Sequence, residues 1–298
     1  MPTVTIFTPT YNRAYIISKL FDSLCKQTCH DFEWLVVDDG SSDNTESVIK
    51  SLKEKASFPV IYVKKQNEGK HIAINTGVEK ASGEWFFIVD SDDYLTSDAI
   101  EKVILHCREI ESDNQFAGVV GLRGDKEGKA WTSWYGNSHT NKNQAVPDVI
   151  DCTYIEYRYK YKIQGDRAEV VRTDILKNHL FPKFENEKFL VESYLWLNLA
   201  KEGYKFRWFN DVIYVTEYLE DGLTQNIAAQ YKKSPLGSSC VANLELSCKG
   251  ISLNAKIRCC YNYYRYGFYA GLNARQLLKQ CSHKILSPVG LLIALVRK

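Results

Sequence analysis

The sequence lacks the long apolar segments, metal-binding cysteine pairs and phosphate-binding loops that identify several large protein classes. It has no run of 18 or more apolar residues, so no membrane-spanning helix is expected. The segment Met1–Ile6 shows no basic-then-apolar leader, and we expect no secretory signal. Neither a Walker loop nor a G-x-G-x-x-G fingerprint is present, and no Ser/His/Asp order suggests a hydrolase.

The nine cysteines include no C-x-x-C pair, which argues against a structural zinc site. Cys25 and Cys29 lie four residues apart on one predicted helix, with no second pair beside them. An odd and scattered set of cysteines predicts free thiols and therefore a reducing, cytoplasmic environment. At 298 residues the chain is long enough for one large globular domain with an appendage.

The net charge of +2 conceals an uneven distribution along the chain. Residues 249–298 carry nine Lys and Arg but no Asp or Glu, whereas the other 248 residues carry 29 basic and 36 acidic residues. The same segment is rich in tyrosine and ends in a short apolar run. A basic, aromatic and amphipathic element is typical of a membrane interface. We therefore predict that residues 234–298 form a helical basic tail that attaches to a membrane surface; a homodimer interface is the alternative, and no nucleic-acid partner is expected.

The first 112 residues alternate strand and helix patterns, which predicts an α/β fold with a doubly wound, mostly parallel sheet. Continuous apolar runs indicate strands that are buried on both faces, and apolar residues at helical spacing indicate the helices between them. The predicted strands are Thr3–Thr8, Phe32–Val37, Val60–Val63 and Trp85–Val89, and the predicted helices are Arg13–Gln27, Ser42–Lys53, Gly69–Ala81 and Ser97–Ile110.

Beyond Phe116 this alternation ends. Residues 122–150 are rich in Gly, Asn, Lys and Ser, which predicts a long functional loop or a small hairpin. The remaining predictions are helices at Asp174–Asn178 and Phe189–Ala200, short strands at Tyr204–Phe209 and Val212–Val215, a linker at Ser234–Ser239 and a helical tail from Leu253.

Charged side chains follow all four predicted strands of the first half, and ligands of open α/β sheets bind at that edge. Asp90, Asp92 and Asp93 fall within four residues directly after a buried strand. Crowded carboxylates repel one another unless a cation joins them, and oxygen ligands suit Mg²⁺ or Mn²⁺. Such a cation would neutralise a diphosphate leaving group. The alternative is that these acids cap the helix that follows, a role that Asp93 or Ser97 alone can fill.

Four segments, in order and spacing, resemble the family 2 glycosyltransferases of the GT-A fold, of the bacterial polysaccharide-biosynthesis type. They are Thr8–Arg13 (T-P-T-Y-N-R), Val36–Asp43 (V-V-D-D-G-S-S-D), Asn67–Gly77 and Val89–Asp93 (V-D-S-D-D). The resemblance is strong over residues 2–112, weaker over 113–230 and absent from the tail. It implies a Rossmann-like GT-A domain over residues 1–233, with a nucleotide-sugar half at 1–112 and an acceptor half at 113–233.

The resemblance also implies a nucleoside pocket. Thr8, Pro9 and Tyr11 would line it, with Tyr11 against the base. Asp39 would accept a hydrogen bond from a ring N–H of the base, as suits uracil. A simple turn at Asp39–Ser41 is the alternative interpretation of that segment.

By the same resemblance, Asp90 would hold the ribose or the sugar, Asp92 would bind the metal, and Asp93 would support the metal or the sugar hydroxyls. Lys70 is placed to approach the phosphate or the sugar, unless it is a solvated surface lysine. The further donor-site candidates are Arg13, Asn67 and Ser91.

Inverting transfer needs a base for the acceptor hydroxyl, and family members carry an acid at the start of a helix in the second half. Glu192 matches that position, although this chain has Glu-Ser where the family often has Glu-Asp. Glu185 and Glu187 are the neighbouring alternatives, and Glu192 can also serve only to complement a helix dipole.

The acceptor and lid residues are predicted with the least support. Asp166 and Arg167 are candidates for sugar contacts, and Tyr218 to Thr224 resembles the segment that closes over the donor in relatives. Trp131 and Trp134 either stack on an acceptor or belong to the core. These patterns together predict a metal-dependent, inverting transferase that moves a sugar from a UDP-sugar to a lipid-linked or growing surface glycan at the cytoplasmic face of the membrane. A donor with another nucleotide and an inactive scaffold are the alternatives.

Overall fold

The computed structural model of the chain describes residues 2–131, 148–163, 165–217 and 227–296. Its strands are β1 (Val4–Thr10), β2 (Phe32–Asp38), β3 (Val60–Lys64), β4 (Trp85–Ile88), β5 (Tyr94–Leu95), β6 (Phe116–Gly124), β7 (Val149–Cys152), β8 (Arg167–Arg172) and β9 (Lys205–Val215).

Within the described residues these strands form one mixed sheet in the order β3-β2-β1-β4-β8-β6-β9-β5, with β7 paired to β9. The pairs of β1 with β2, β1 with β4 and β2 with β3 are parallel, as predicted. The antiparallel strand β8 joins this parallel half to the β6–β9 pair. The carboxyl ends of β1, β2, β3 and β4 therefore lie along one edge of the sheet.

Helices cover both faces of the sheet. One face is covered by α1 (Ile17–Cys25), α2 (Thr45–Lys55) and α4 (Ala99–Ile110), and the other by α3 (Lys70–Lys80), α5 (Thr173–Lys177) and α6 (Ser193–Glu202). Along β2, Trp34 and Val36 pack in the core on the side of α1, α2 and α4. Leu35 and Val37 pack in the core on the opposite side, with α3, α5 and α6. Burial on both faces explains why β2 is mostly apolar; its Glu33 is buried, and the Glu33 carboxylate accepts hydrogen bonds from the Thr5 hydroxyl (2.6 Å) and the Ser82 N–H (2.8 Å).

The structure corrects several predicted boundaries. Helix α1 begins at Ile17 rather than Arg13, because Asn12 has a φ of 53° and the chain turns before the helix starts. Helix α6 begins at Ser193 rather than Phe189. The two short strands predicted at 204–209 and 212–215 are one strand, β9. The predicted hairpin begins at Gly124, which bridges to Ala130; residues 132–147 lie outside the described residues.

The C-terminal helices form a bundle of their own. They are α7 (Ile227–Lys233), α8 (Pro235–Ser247), α9 (Leu253–Tyr269), α10 (Ala274–Gln280) and α11 (Ser287–Val296), so the helical tail from Leu253 is confirmed. Among the described residues, no helix combines the length and apolar character that a bilayer crossing requires. All nine cysteines are free, in agreement with the free-thiol prediction.

The predicted linker at Ser234–Ser239 is wrong, because this segment starts α8. Pro235 stands in the first turn, where its missing N–H costs no hydrogen bond. The carboxylate of Glu187 accepts hydrogen bonds from the N–H groups of Leu236 (2.7 Å) and Gly237 (2.8 Å), which have no partner within the helix. Ser238 and Ser239 are buried. The bundle is therefore anchored to the segment that precedes α6.

Candidate active site

Asn12 locks together the loops that follow β1 and β2. Its Oδ1 accepts hydrogen bonds from the N–H groups of Ser42 (2.8 Å) and Asp43 (3.3 Å). Its own N–H donates to the Ser41 hydroxyl (2.8 Å). Asparagine tolerates the left-handed backbone that this arrangement requires. The two loops therefore form one rigid wall at the carboxyl edge of the sheet.

Asp39 fixes the segment that leads into α3. Its Oδ1 accepts hydrogen bonds from the Lys65 ammonium (2.9 Å) and the Glu68 N–H (3.0 Å), and its Oδ2 accepts from the Gly69 N–H (2.7 Å). At Gly69, φ is 96° and an added Cβ would lie 1.9 Å from the Lys188 carbonyl oxygen, so only glycine fits. A carboxylate has about four acceptor positions. One acceptor position on Oδ2 is therefore left unfilled by these three bonds, in a side chain that is 4% exposed, and the predicted contact with a nucleobase stays a prediction.

The other nucleoside candidates differ in their access to a ligand. Thr8 is buried in β1 and its hydroxyl accepts a hydrogen bond from the Trp34 indole (2.9 Å). Pro9 is also buried in β1. Tyr11, by contrast, is 49% exposed at the rim, where a flat base can stack on it. Asn67 approaches Gly40 so closely that a Cβ there would lie 2.9 Å from the Asn67 nitrogen.

Tyr214 and Arg123, which the sequence analysis did not single out, organise the acidic segment after β4. The Tyr214 hydroxyl accepts a hydrogen bond from the Asp90 N–H (2.9 Å) and donates one to Asp93 (2.8 Å). Arg123 lies over the Tyr214 ring at 4.2 Å and its guanidinium is 3.8 Å from Asp93. Burial raises the pKa of Asp93 above its usual range, and the charge of Asp90 adds to this. The contacts of Asp93 are therefore with Tyr214 and Arg123, and they hold the acidic segment after β4 in place.

Asp92 is less engaged by the protein than Asp90 and Asp93. Its side chain is 23% exposed, as is that of Asp90, but its ion pair with Arg13 spans 3.7 Å, whereas Asp90 contacts Lys70 at 2.5 Å. Ser91, between Asp90 and Asp92, is buried. The described residues contain no group of three or more His, Cys, Asp or Glu placed to hold a metal ion. A hard cation here would therefore depend on Asp92 and on oxygens supplied by a ligand, which is how Mg²⁺ is commonly bound.

Lys70 joins the two halves of the site. This first residue of α3 places its ammonium 2.5 Å from Asp90 Oδ1 and 2.6 Å from Glu192 Oε1. Burial would lower the pKa of Lys70, but the charges of Asp90 and Glu192 outweigh it and raise that pKa above its usual range. The pKa of Asp90 is lowered, because Lys70 and Arg123 outweigh the opposing effect of burial. Lys70 therefore is no solvated surface lysine.

Of the three acids proposed as a base, only Glu192 reaches this cluster. It stands at the N-terminus of α6, where a negative charge complements the helix dipole. Glu187 is engaged at the start of α8 through both of its carboxylate oxygens. Glu185 is exposed. The geometry therefore favours Glu192 over its two neighbours.

The residues predicted to contact the acceptor differ in exposure, and three of them lie outside the described residues. Asp166 is exposed, while Arg167 is 3% exposed and donates a hydrogen bond to the Tyr157 hydroxyl (2.6 Å). Trp131 is 47% exposed, so a core role does not apply to it. Trp134, Tyr218 and Thr224 lie outside the described residues.

Glu169 in β8 is a second carboxylate close to Glu192, and sequence reasoning missed it. Burial and the negative charges of Glu192 and Asp166 raise the pKa of Glu169 to about 8, although Arg123 opposes this. An acid next to Ala168, Val170 and Val171 in the short strand β8 is the one sequence signal for it. Glu169 therefore takes up a proton on folding at neutral pH.

This proton predicts a specific pH dependence of stability. Between the ordinary glutamate pKa of 4.5 and about 8, folded Glu169 keeps a proton that the unfolded chain releases, so its contribution to stability is lost as pH rises through this range. Glu169→Gln stays neutral at every pH and should escape this loss. We expect its melting temperature to exceed that of the natural protein by a few degrees at pH 8 and by little at pH 5. Parallel melting curves across the range would contradict this.

The matches to known proteins agree with the sequence motifs. The model of glycosyl transferase family 2 matches residues 5–181. The chain belongs to glycosyl transferase family 2. This confirms the family that the four motifs predicted.

Two relatives illustrate the range of that family. The GalNAc(5)-diNAcBac-PP-undecaprenol beta-1,3-glucosyltransferase of Campylobacter jejuni is 30% identical over 206 residues, which cover 68% of this chain and 61% of the relative. The poly(ribitol-phosphate) beta-N-acetylglucosaminyltransferase TarS of Staphylococcus aureus is 27% identical over 199 residues, which cover 64% of this chain and 32% of TarS. The matched region thus spans less than two thirds of either relative.

Solved structures confirm the GT-A fold. The structure of S. aureus TarS 1-349 in complex with UDP-GlcNAc has a TM-score of 0.55 at 19% identity, covering 98% of this chain and 89% of that one. The mannosyltransferase PcManGT of Pyrobaculum calidifontis, in complex with GDP-Man and Mn²⁺, has a TM-score of 0.52 at 18% identity, covering 99% and 73%. At such identities the likeness concerns the fold alone.

Proposed function

We propose that this chain transfers a hexose or an amino sugar, with inversion, from a UDP-sugar to a lipid-linked or growing surface glycan. The observation that carries the proposal is the Lys70 bridge, which brings Asp90 of the donor half and Glu192 of the acceptor half to one place. Family membership and the complex of TarS with UDP-GlcNAc support the donor. The undecaprenol-linked glycan named for the C. jejuni relative supports the acceptor.

Tyr11 and the remaining acceptor position on Asp39 would bind the uracil, and Asp90 would hold the ribose or the sugar. Asp92 would hold Mg²⁺ or Mn²⁺ together with the diphosphate, and the cation would supply neutralisation of the leaving group. The Mn²⁺ in PcManGT supports a metal in this fold. Arg13, beside Asp92, adds a second positive charge for the phosphates.

Glu192 would act as the base. The acceptor oxygen attacks the anomeric carbon from the side opposite the diphosphate, and its proton passes to the Glu192 carboxylate. The bond from the anomeric carbon to the diphosphate oxygen breaks, and its electron pair leaves with the UDP. A carboxylate can serve this step because it accepts the proton that the acceptor hydroxyl loses as the new bond forms.

A panel of nucleotides tests the donor. Thermal unfolding would be followed with UDP, GDP, dTDP, CMP and ADP, each with and without Mn²⁺. We expect a stabilisation by UDP that requires Mn²⁺, amounting to about 2.7 kcal/mol at a hundredfold excess over Kd. A shift with GDP alone would favour the donor class of PcManGT. No shift with any nucleotide would favour an inactive scaffold instead.

The membrane surface would be contacted by α11. Ser287, Gly290 and Ala294 pack this helix inward, and Gly290 lies against Cys260 of α9. The opposite face is apolar and solvent-exposed, although water is a poor environment for it. Its exposed residues are Val289 (44%), Leu292 (63%), Leu295 (49%) and Val296 (77%), and Ile285, just before the helix, is 84% exposed. Since residues 249–298 are basic and without acids, we propose that this face enters an anionic, cytoplasmic leaflet.

A single charge on that face should release the protein from vesicles. Burying a leucine contributes about 1.5–3 kcal/mol, so Leu292→Glu is expected to reduce binding to phosphatidylglycerol vesicles by more than about tenfold in a sedimentation assay. Leu105→Glu is the matched control, because Leu105 is a 56% exposed leucine on α4. Equal loss in both variants, or no loss in Leu292→Glu, would refute docking through α11.

A further inference from the structure

The ammonium of Lys70 neutralises only one of the two carboxylates that it contacts. Asp90 and Glu192 each place an oxygen within 2.6 Å of it, and all three side chains are 23–26% exposed. Asp90 follows β4 in the donor half, whereas Glu192 begins α6 in the acceptor half. One cation therefore holds together the residue proposed to touch the donor and the residue proposed to take the acceptor's proton.

This contact engages one oxygen of the carboxylate that catalysis would use. A base presents a lone pair to the acceptor hydroxyl, and Lys70 holds Glu192 Oε1 and with it the orientation of the carboxylate, whose other acceptor positions stay open. Lys70 stays charged in this setting, since Asp90 and Glu192 raise its pKa. Its charge is therefore not switched by pH in the physiological range, whereas a competing anion could draw the ammonium away from Glu192.

We propose that Lys70 is a donor-gated latch, which engages Glu192 in the free enzyme and releases it when the ammonium moves to the diphosphate of the donor. The proposal rests on the proposed function, because it assumes a diphosphate beside Asp92. A diphosphate offers several anionic oxygens, whereas Glu192 offers one contact. The four-carbon stem of lysine lets the ammonium reposition without moving α3. Binding of the donor would then precede activation of the base.

The latch predicts that replacing Glu192 strengthens UDP binding, whereas structural damage to the site would weaken it. If Lys70 must leave Glu192 to bind the diphosphate, removing the charge of Glu192 should strengthen UDP binding. We expect Glu192→Gln to bind UDP, in the presence of Mn²⁺, about fivefold more tightly than the natural protein by titration calorimetry. Lys70→Met should bind UDP about tenfold more weakly, since one charge-assisted contact is lost.

The double variant distinguishes the latch from general electrostatics. In the Lys70→Met background, Glu192→Gln should no longer tighten UDP binding, because the contact that it relieves is already absent. Glu185→Gln is the matched control: it removes the same charge from an exposed neighbour and should leave the UDP affinity unchanged. Lys70→Arg keeps the cation and should bind UDP more tightly than Lys70→Met.

The possible failures are separable. If the natural protein binds no UDP or other nucleoside diphosphate, the proposed function fails and the latch fails with it. If the natural protein binds UDP but Glu192→Gln binds it equally or more weakly, only the latch is overturned. The latch is also overturned if Glu192→Gln tightens binding equally with and without Lys70, since the effect would then be long-range repulsion. Melting temperatures of the variants confirm that each is folded.

Discussion

Glu192→Gln is expected to abolish sugar transfer while UDP binding persists. Glutamine keeps the size of the side chain and its place at the start of α6, but it cannot take a proton from the acceptor. Losing a general base typically lowers turnover by about 10²–10⁴-fold. Single-turnover measurement of sugar transfer, with the donor saturating, isolates this step from binding.

Two neighbouring acids provide the controls for this result. Glu185→Gln should retain turnover, because Glu185 is exposed and outside the Lys70 cluster. Glu187→Gln should retain turnover but lower the melting temperature, because Glu187 caps α8 through Leu236 and Gly237; loss of such a cap costs about 1 kcal/mol. Near-normal turnover in Glu192→Gln would place the base elsewhere, and Glu169 would be the next residue to replace.

The first 112 residues were predictable because their signals are local. The parallel strands β1, β2 and β4 are buried on both faces and are therefore mostly apolar or β-branched. The polar residues that directly follow such a strand lie at one edge by topology alone. Even here the sequence did not reveal that Asp39 holds Glu68 and Gly69 by hydrogen bonds, because that partnership links residues 30 positions apart.

Residues 113–233 were less predictable because their contacts are long-range. Tyr214 reaches Asp93 across 121 positions of the chain, and nothing near Tyr214 in the sequence suggests a polar partner. Arg123 lies in the mostly apolar strand β6 and Glu169 beside apolar residues in β8, where a charge signals either a site or an edge. Whether such a charge lies in a site or at a sheet edge depends on the order of β8, β6 and β9 in the sheet. No local sequence pattern reveals that β8 inserts antiparallel between β4 and β6.

The linker prediction failed for a related reason. The run of small residues at Ser234–Ser239 is typical of a flexible segment, yet here small side chains permit close packing. A Cβ on Gly237 would lie 3.0 Å from Leu190 and 3.3 Å from the Phe189 carbonyl oxygen. A larger residue there would separate α8 from the segment that leads to Glu192. The tail bundle thus supports the placement of the proposed base, and removing residues after Ser239 would disturb the site as well as the membrane contact.

Asp92→Ala is expected to remove the Mn²⁺-dependent part of UDP binding. Asp92 is the acid of its segment least engaged by the protein, since Asp90 contacts Lys70 and Asp93 accepts a hydrogen bond from Tyr214. If it is the one protein carboxylate on the cation, the affinity for UDP with Mn²⁺ should fall to the metal-free value. Replacing even an outer partner of a metal site lowers affinity by about 10–100-fold, so a direct ligand should cost at least as much.

Calorimetric titration of UDP, with and without Mn²⁺, measures this effect. Asp93→Asn is the matched control, because Asp93 is buried against Tyr214 and Arg123 and should retain the response to Mn²⁺ while losing thermal stability. An unaltered response to Mn²⁺ in Asp92→Ala would exclude Asp92 as the ligand. A response lost only in Asp93→Asn would mean that Asp93 leaves Tyr214 to bind the cation, so that the segment after β4 rearranges when the donor arrives.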